Sequence, residues 1–452
     1  MKILFVVTAF YPEQAIGSVR VTKLAKYLHR HGAELTIISL TPPPWAVSDD
    51  SLYFPELKSI DWVTIDQSAF FNKVFTKMRM ATIGSKPASG IIKNSDSHQK
   101  LKIAVKERLQ FLYTFLKAID WAFQIRRYAK TKLKHQNFDA IFTSYPSLAS
   151  PLSGLMLKKM GISNTLAVDF RDPISYHGGG SLSIRRRLEL IFLQSANIFS
   201  FASEGVKEMV MHGVRVSSSC RFKYLTLNNG FDPEDQSSLD QDAMPFDSSS
   251  SFKIVYTGAL YGGKRDVSDF FSALSMIIEN TEFGVSDFEI HYAGLEGKFF
   301  LNVANQYGLS ELVTDHGSIS RVESLRLQKI ADLCLLATWN TSSNQGILTG
   351  KIFEFFMLRK PILALVSGDL AHSEVKEVIE RVGAGYCYEQ AEPEKFQAMV
   401  DWLKICITEK FQLGEVSNNY QESVQDFNFE KLSVNLHNLF LSEIRTCSSV
   451  GL

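Results

Sequence analysis

Short, uninterrupted apolar runs alternate with helix-length stretches along this chain, and the pattern stops once and starts again. Runs at 2–8, 34–40, 139–143, 165–169, 197–202 and 223–228 read as parallel strands covered on both faces, because a strand with one wet face would alternate apolar and polar residues. Between the first two, Val19 to His31 places Val21, Leu24, Ala25 and Leu28 at helical spacing and stops at Gly32. The stretch 233–251 is acidic, Ser-rich and without period, as a linker is. Beyond it come strands at 252–257, 287–293, 311–316, 332–337 and 361–366, separated by helices at 266–279, 297–307, 321–330 and 349–358. Such alternation predicts an α/β protein of two Rossmann-like parallel-sheet domains, 1–235 and 252–416, followed by a helical region, 417–452. A chain of 452 residues is also too long for one ordinary core. Open parallel sheets bind ligands outside the carboxyl ends of their strands, so the two domains are expected to face one another across a cleft lined by strand-to-helix loops.

Composition narrows the classes further. The 48 basic and 48 acidic residues cancel, which gives no global argument for nucleic-acid binding. The five cysteines (Cys220, Cys334, Cys387, Cys406 and Cys447) form no CxxC pair and have no His at ligand spacing. They are expected to be reduced, cytosolic and metal-free. Met1 to Val7 superficially resembles a signal peptide, but Phe10-Tyr11-Pro12-Glu13 interrupts the run and the first strand of a nucleotide fold suits it better. No stretch approaches the roughly 20 apolar residues of a membrane span.

One local bias stands out against the neutral whole. From Phe71 to His135 there are fifteen Lys or Arg against three acids, Asp96, Glu107 and Asp120, with Phe75, Phe111, Tyr113, Phe115, Trp121 and Phe123 interleaved. Two readings stand: a basic amphipathic segment lying on an anionic bilayer at the inner face of the cell membrane, or a helical insertion whose aromatics are core and whose charges are solvated.

The second half reads Tyr256-Thr-Gly-Ala-Leu-Tyr-Gly-Gly-Lys-Arg-Asp266, then Gly317-Ser-Ile-Ser-Arg-Val-Glu-Ser-Leu325, then Gly346-Ile-Leu-Thr-Gly-Lys-Ile-Phe-Glu-Phe-Phe356. The first half carries Pro12 and Gly17 in its first loop, Asp169-Phe-Arg-Asp-Pro173 after a middle strand and Asn229-Gly-Phe-Asp232 ahead of the linker. In this order and spacing the set resembles the GT-B-fold, family 4 retaining glycosyltransferases over nearly the whole chain. The resemblance implies transfer of a sugar from a nucleotide-diphosphate sugar to an acceptor hydroxyl with retention of configuration. It also implies that the region 417–452 crosses back onto the first domain. No metal or cofactor is expected, because the protein's own cations can neutralise a leaving diphosphate and no Asp-x-Asp follows a strand, and the basic face of 71–135 suits a lipid-linked or saccharide acceptor in cell-surface polysaccharide or glycolipid synthesis.

Each motif has a physical reading as well. Gly258 and the glycines at 262 and 263 let the backbone approach a ligand, and Lys264 and Arg265 supply charge for a diphosphate; a solvated basic turn is the plainer alternative. The resembled family often carries Arg where this chain has Ala259, so that cation is absent or moved to Arg265. Glu354 falls where the family places a carboxylate that accepts hydrogen bonds from the donor ribose. The family's paired glutamate is Gly346 here, with Asn344 and Gln345 the nearest polar substitutes. Gly346, Thr349 and Gly350 precede a helix whose free N–H groups suit phosphate or sugar. Gly317 and Ser318 resemble the loop that meets the nucleobase, while Arg321 and Glu323 look like helix-start charges.

In the first half, Gly17 corresponds to a glycine loop over the diphosphate, or is an ordinary turn before a helix. Asp169, Arg171 and Asp172 are expected in a loop facing the cleft, either as a self-satisfied charge cluster or positioning and polarising the acceptor. His177 is a weaker candidate beside Gly178-Gly179-Gly180. Two rivals to a transferase remain: a nucleotide-sugar epimerase, which needs titratable groups at the sugar, and a catalytically silent relative that binds a nucleotide or a partner. A Rossmann dehydrogenase does not fit, because 8–17 lacks GxGxxG.

Overall fold

A computed structural model describes the chain except residues 15, 43–45, 72, 74–96, 178–183, 213–221, 238, 240–249, 343 and 451–452, and the backbone alone at 16, 97–107, 176, 177, 237 and 447–450. Two compact units emerge. The first comprises 1–202, 210–227 and 433–452, and the second 203–209 and 228–432. Most of the stretch 233–251, the Gly178–Gly180 run and Cys220 lie outside the described residues.

The first unit is built on a seven-stranded sheet in the order β3-β2-β1-β4-β5-β6-β7. Its strands are β1 (Lys2–Val7), β2 (Glu34–Leu40), β3 (Asp61–Ile65), β4 (Ala140–Tyr145), β5 (Leu166–Phe170), β6 (Ile198–Phe201) and β7 (Lys223–Thr226). All pairings are parallel, and β1 lies between β2 and β4, so strand order reverses between β1 and β4. The central strands are the apolar runs of the sequence, with Ile3, Leu4, Phe5, Ile141, Phe142 and Val168 without exposed surface. The long helix Ser97–Tyr128 buries Ala118, Trp121 and Ile125, and the Trp121 indole donates to the Ile65 carbonyl at 2.9 Å. Of the aromatics in the basic stretch, Trp121 is therefore core, Phe123 is exposed, and Phe75 lies outside the described residues. In the last helix, Phe429–Val450, Leu436 and Phe440 are fully buried, and Phe440 meets Phe142 edge-on.

The second unit holds a six-stranded parallel sheet in the order β10-β9-β8-β11-β12-β13. The strands are β8 (Phe252–Thr257), β9 (Phe288–Ala293), β10 (Val313–Asp315), β11 (Leu333–Trp339), β12 (Ile362–Ser367) and β13 (Gly385–Glu389). Helices cover it, among them Ser268–Asn280, Gly297–Gln306, Arg321–Ile330 and Gly350–Leu358. Apolar side chains pack on both sheet faces, around Phe270 and Leu274 on one and Ile352 and Phe356 on the other. Order reverses between β8 and β11.

Candidate functional site

In a doubly wound sheet the ligand crevice opens outside the carboxyl ends of the strands where their order reverses. In the second unit that is the neighbourhood of Thr257, which ends β8, and Trp339, which ends β11. The candidate residues of this half all follow the carboxyl ends of β8, β10 and β11.

The loop after β8 differs from the open cradle its glycines suggest. The N–H groups of Leu260, Tyr261 and Gly262 converge on the Glu296 carboxylate at 2.5, 3.0 and 2.8 Å. An arrangement of N–H groups of this kind binds anions, and here a side chain of the chain itself supplies one. Those three N–H groups are therefore occupied within the chain itself. The side chains remain turned to other work. Lys264 is exposed, with its ammonium 5.9 Å from the Trp339 ring. Arg265 stacks on Tyr261 at 4.6 Å and near Trp339 at 5.8 Å, and donates to the Ala259 carbonyl at 3.0 Å. It thereby reaches back to the position where the resembled family carries its arginine.

Glu354 lies on the helix Gly350–Leu358 with its side chain 18 % exposed. Its Oε2 accepts from Lys351 Nζ at 2.9 Å and from Gln328 Nε2 at 2.8 Å, while Oε1 has no partner among the described residues. Burial pushes this carboxyl up, but Lys351 and Arg321 together with the bonds from Lys351 and Gln328 outweigh it and hold the group below the ordinary range. A carboxylate so held is ionised at neutral pH and offers one oxygen as an acceptor. Thr349, at the N-cap, has its hydroxyl buried without a partner among the described residues, next to Gly350, where the helix N–H groups begin.

The other candidates of this half divide. Gly317 donates to Asp315 and accepts from the Gly294 N–H, so its own backbone is engaged; Ser318 is exposed. Glu323 closes a capping box with Ser320, and Arg321 pairs with Asp235 at 2.8 Å, as helix-start charges do. Asn344 bridges to Thr341 through its backbone, and Gln345 is half-buried. Gly346 has φ +66, accepts from the Ser203 hydroxyl at 2.7 Å, and abuts Gly205 so closely that a Cβ would overlap the Gly205 Cα. No side chain fits there, which accounts for the glycine where the resembled family has its paired glutamate.

In the first unit, Gly17 is not in a loop but in the first turn of the helix Ile16–Arg30. The Arg171 guanidinium lies over it, with Nη1 and Nη2 only 2.7 and 2.9 Å from where a Cβ would stand. Arg171 Nε donates to the Tyr145 carbonyl at 3.0 Å, so the residue spans from the end of β4 to the helix start, at the point where strand order reverses. Asp172 is exposed. Asp169 requires correction. It belongs to β5, is 0 % exposed, and its carboxylate takes Arg20 through two bonds of 2.8 and 3.1 Å and the hydroxyls of Ser144 and Ser200 at 2.8 and 2.7 Å. Asp169 faces inward to a cation 149 residues earlier rather than into a loop, although its charge and that of Asp172 still act on Arg171. The side chain of His177 lies outside the described residues.

Neither a family model nor a curated protein matches the sequence. Solved structures do match along the full chain. The lipopolysaccharide outer core galactosyltransferase WaaB matches with TM-score 0.56 at 14% identity, covering 98% of this chain and 100% of that one. HepE of Anabaena in complex with UDP gives 0.60 at 14%, over 98% and 100%. Sucrose-phosphate synthase from Thermosynechococcus elongatus gives 0.60 at 14%, over 99% and 100%. The chain has the GT-B glycosyltransferase fold. Within this GT-B chain, Arg20, Glu296 and Gln328 escaped the sequence reading. Each is a polar residue in a helix or beside one, and only its distant partner distinguishes it from a solvated charge.

Proposed function

We propose that this GT-B chain is a retaining glycosyltransferase that takes a sugar from a nucleoside diphosphate sugar and passes it to an acceptor hydroxyl. The observation that carries the reading is Glu354, an ionised carboxylate with one oxygen fixed and the other without a partner among the described residues, on a helix that starts at Thr349 near the point where strand order reverses. In this reading Glu354 accepts from the donor ribose, the loop at 317–318 meets the base, and Lys264, Arg265 and the N–H groups from Gly350 onward take the diphosphate. The bond from the anomeric carbon to the phosphate oxygen breaks, the nucleoside diphosphate leaves with the electron pair, and those cations stabilise its charge. The acceptor oxygen bonds to the same carbon and its proton passes to the departing phosphate. That HepE was solved with UDP supports a nucleoside diphosphate as the ligand class. Glu354→Gln should weaken nucleoside diphosphate binding by roughly 1.5–3 kcal/mol, the worth of a charged hydrogen bond, measured by calorimetric titration. Unchanged affinity would remove Glu354 from the site.

The acceptor is proposed to be lipid-linked, met at the inner, anionic face of the cell membrane. Leu109, Leu112, Leu116 and Phe123 fall on one face of the helix Ser97–Tyr128 and are 55%, 50%, 37% and 52% exposed. Exposed Arg108, Arg126, Arg127 and Lys130 accompany them, and Asp120 is occupied by Ser68. Among the described residues no helix is long and apolar enough to cross a membrane. Replacing the four cations by Gln should release the protein from anionic vesicles, at about 1 kcal/mol for each charge. Transfer to a short water-soluble acceptor should persist, and equal binding to neutral and anionic vesicles would contradict the membrane face.

A further inference from the structure

We propose that Gln328 is a positioning residue for nucleotide recognition, fixing the Glu354 carboxylate so that its free oxygen meets the ribose hydroxyls; this rests on the donor-site reading above. Gln328 lies on the helix Arg321–Ile330 with no exposed surface. Its amide nitrogen has three acceptors within reach: Thr257 Oγ1 at 3.0 Å, Ser324 Oγ at 3.1 Å and Glu354 Oε2 at 2.8 Å. Its carbonyl oxygen is buried with no partner among the described residues. The reverse orientation of the amide would set that carbonyl against a carboxylate, so Glu354 dictates which way the group lies. Thr257 ends β8, and the amide therefore ties Glu354 to the strand at the reversal of order, while Lys351 alone ties it to its own helix.

The unpartnered carbonyl separates positioning from structure. A buried acceptor without a donor lowers stability, and an unbranched apolar side chain of similar length would fill the same space without that defect. Gln328→Met removes that defect together with the donor to Glu354, so the melting temperature should stay near that of wild type while Glu354 loosens. A residue placed only for packing would show neither combination.

The test compares binding of UDP, ADP, GDP and CDP with their 2′,3′-dideoxy forms to wild type, Gln328→Met and Thr257→Val. The nucleotide that binds wild type should lose about tenfold in affinity without its hydroxyls, the value of one hydrogen bond to a charged group. In Gln328→Met that ratio should fall to about twofold, chiefly through weaker binding of the ribonucleotide, with the dideoxy form nearly unaffected. Thr257→Val should lower it in the same direction and carries the test if Gln328→Met does not fold. A tenfold ratio retained in the variants overturns the role of Gln328 and leaves the donor site standing. A wild type that binds both forms equally, or binds none of the nucleotides, overturns the donor site itself and the proposal with it.

Discussion

Replacing Asp169 by Asn is expected to destabilise the protein by about 3–5 kcal/mol, because it leaves the Arg20 guanidinium buried without its counter-charge. Arg20 is 1 % exposed and Asp169 0 %, so water cannot substitute for either partner. For a unit of this size each kcal/mol shifts the melting temperature by roughly 2–4 °C, which puts the expected fall near 10 °C. The pH dependence has a defined sign. Burial pushes the Asp169 carboxyl up, but the charge and bonds of Arg20 with those of Ser200 and Ser144 outweigh it, so the net shift is downward. A carboxyl lowered on folding contributes stability above its ordinary range, and that contribution is lost as pH falls through the lowered value. Acid titration of wild type should show this loss and Asp169→Asn should lack it. The double change Arg20→Met with Asp169→Leu should recover part of the stability, since apolar groups replace the buried pair but leave the Ser144 and Ser200 hydroxyls without this acceptor. A single variant as stable as wild type would mean that the pair is not closed in solution.

The second large effect concerns Gly346. Restoring the glutamate of the resembled family should damage the chain rather than activate it. A non-glycine residue at φ +66 costs about 1–2 kcal/mol. Forcing a side chain against the Gly205 backbone adds roughly 1–3 kcal/mol of overpacking. Gly346→Glu is therefore expected to lose about 2–5 kcal/mol in chemical denaturation and to lower nucleotide affinity, since the loop into the helix Gly350–Leu358 would move. A variant of unchanged stability with faster sugar transfer would show that the position tolerates the family's residue.

The sequence showed the strands well where both faces are covered. The runs 34–40 and 252–257 coincide with β2 and β8, and the other runs read from the sequence shift by a residue or two at their ends. It missed β3 and β13, which are edge strands. Asp-Trp-Val-Thr-Ile and Gly-Tyr-Cys-Tyr-Glu are not continuous apolar runs, because an edge strand is only partly enclosed. Glu354 could be read from the order of motifs, but its geometry could not. Gln328 and Lys351, which orient it, sit 26 and 3 residues away and look like ordinary helix polar groups. Asp169 was misplaced for a related reason: the Asp-Phe-Arg-Asp string looks like a loop, and the buried Arg20 that draws Asp169 inward lies in a stretch read only for its apolar spacing. The glycines after β8 announced a turn correctly, while Glu296, which fills it, gives no local signal.

The most direct measurement is release of nucleoside diphosphate from UDP-, GDP- and ADP-sugars, with and without a membrane-lipid extract as the source of acceptor. Release is expected from one donor class, rising with the extract, falling in Lys264→Ala and largely lost in Glu354→Gln. Binding without release in any combination, or conversion of the donor to an epimer with no dependence on the extract, would contradict sugar transfer.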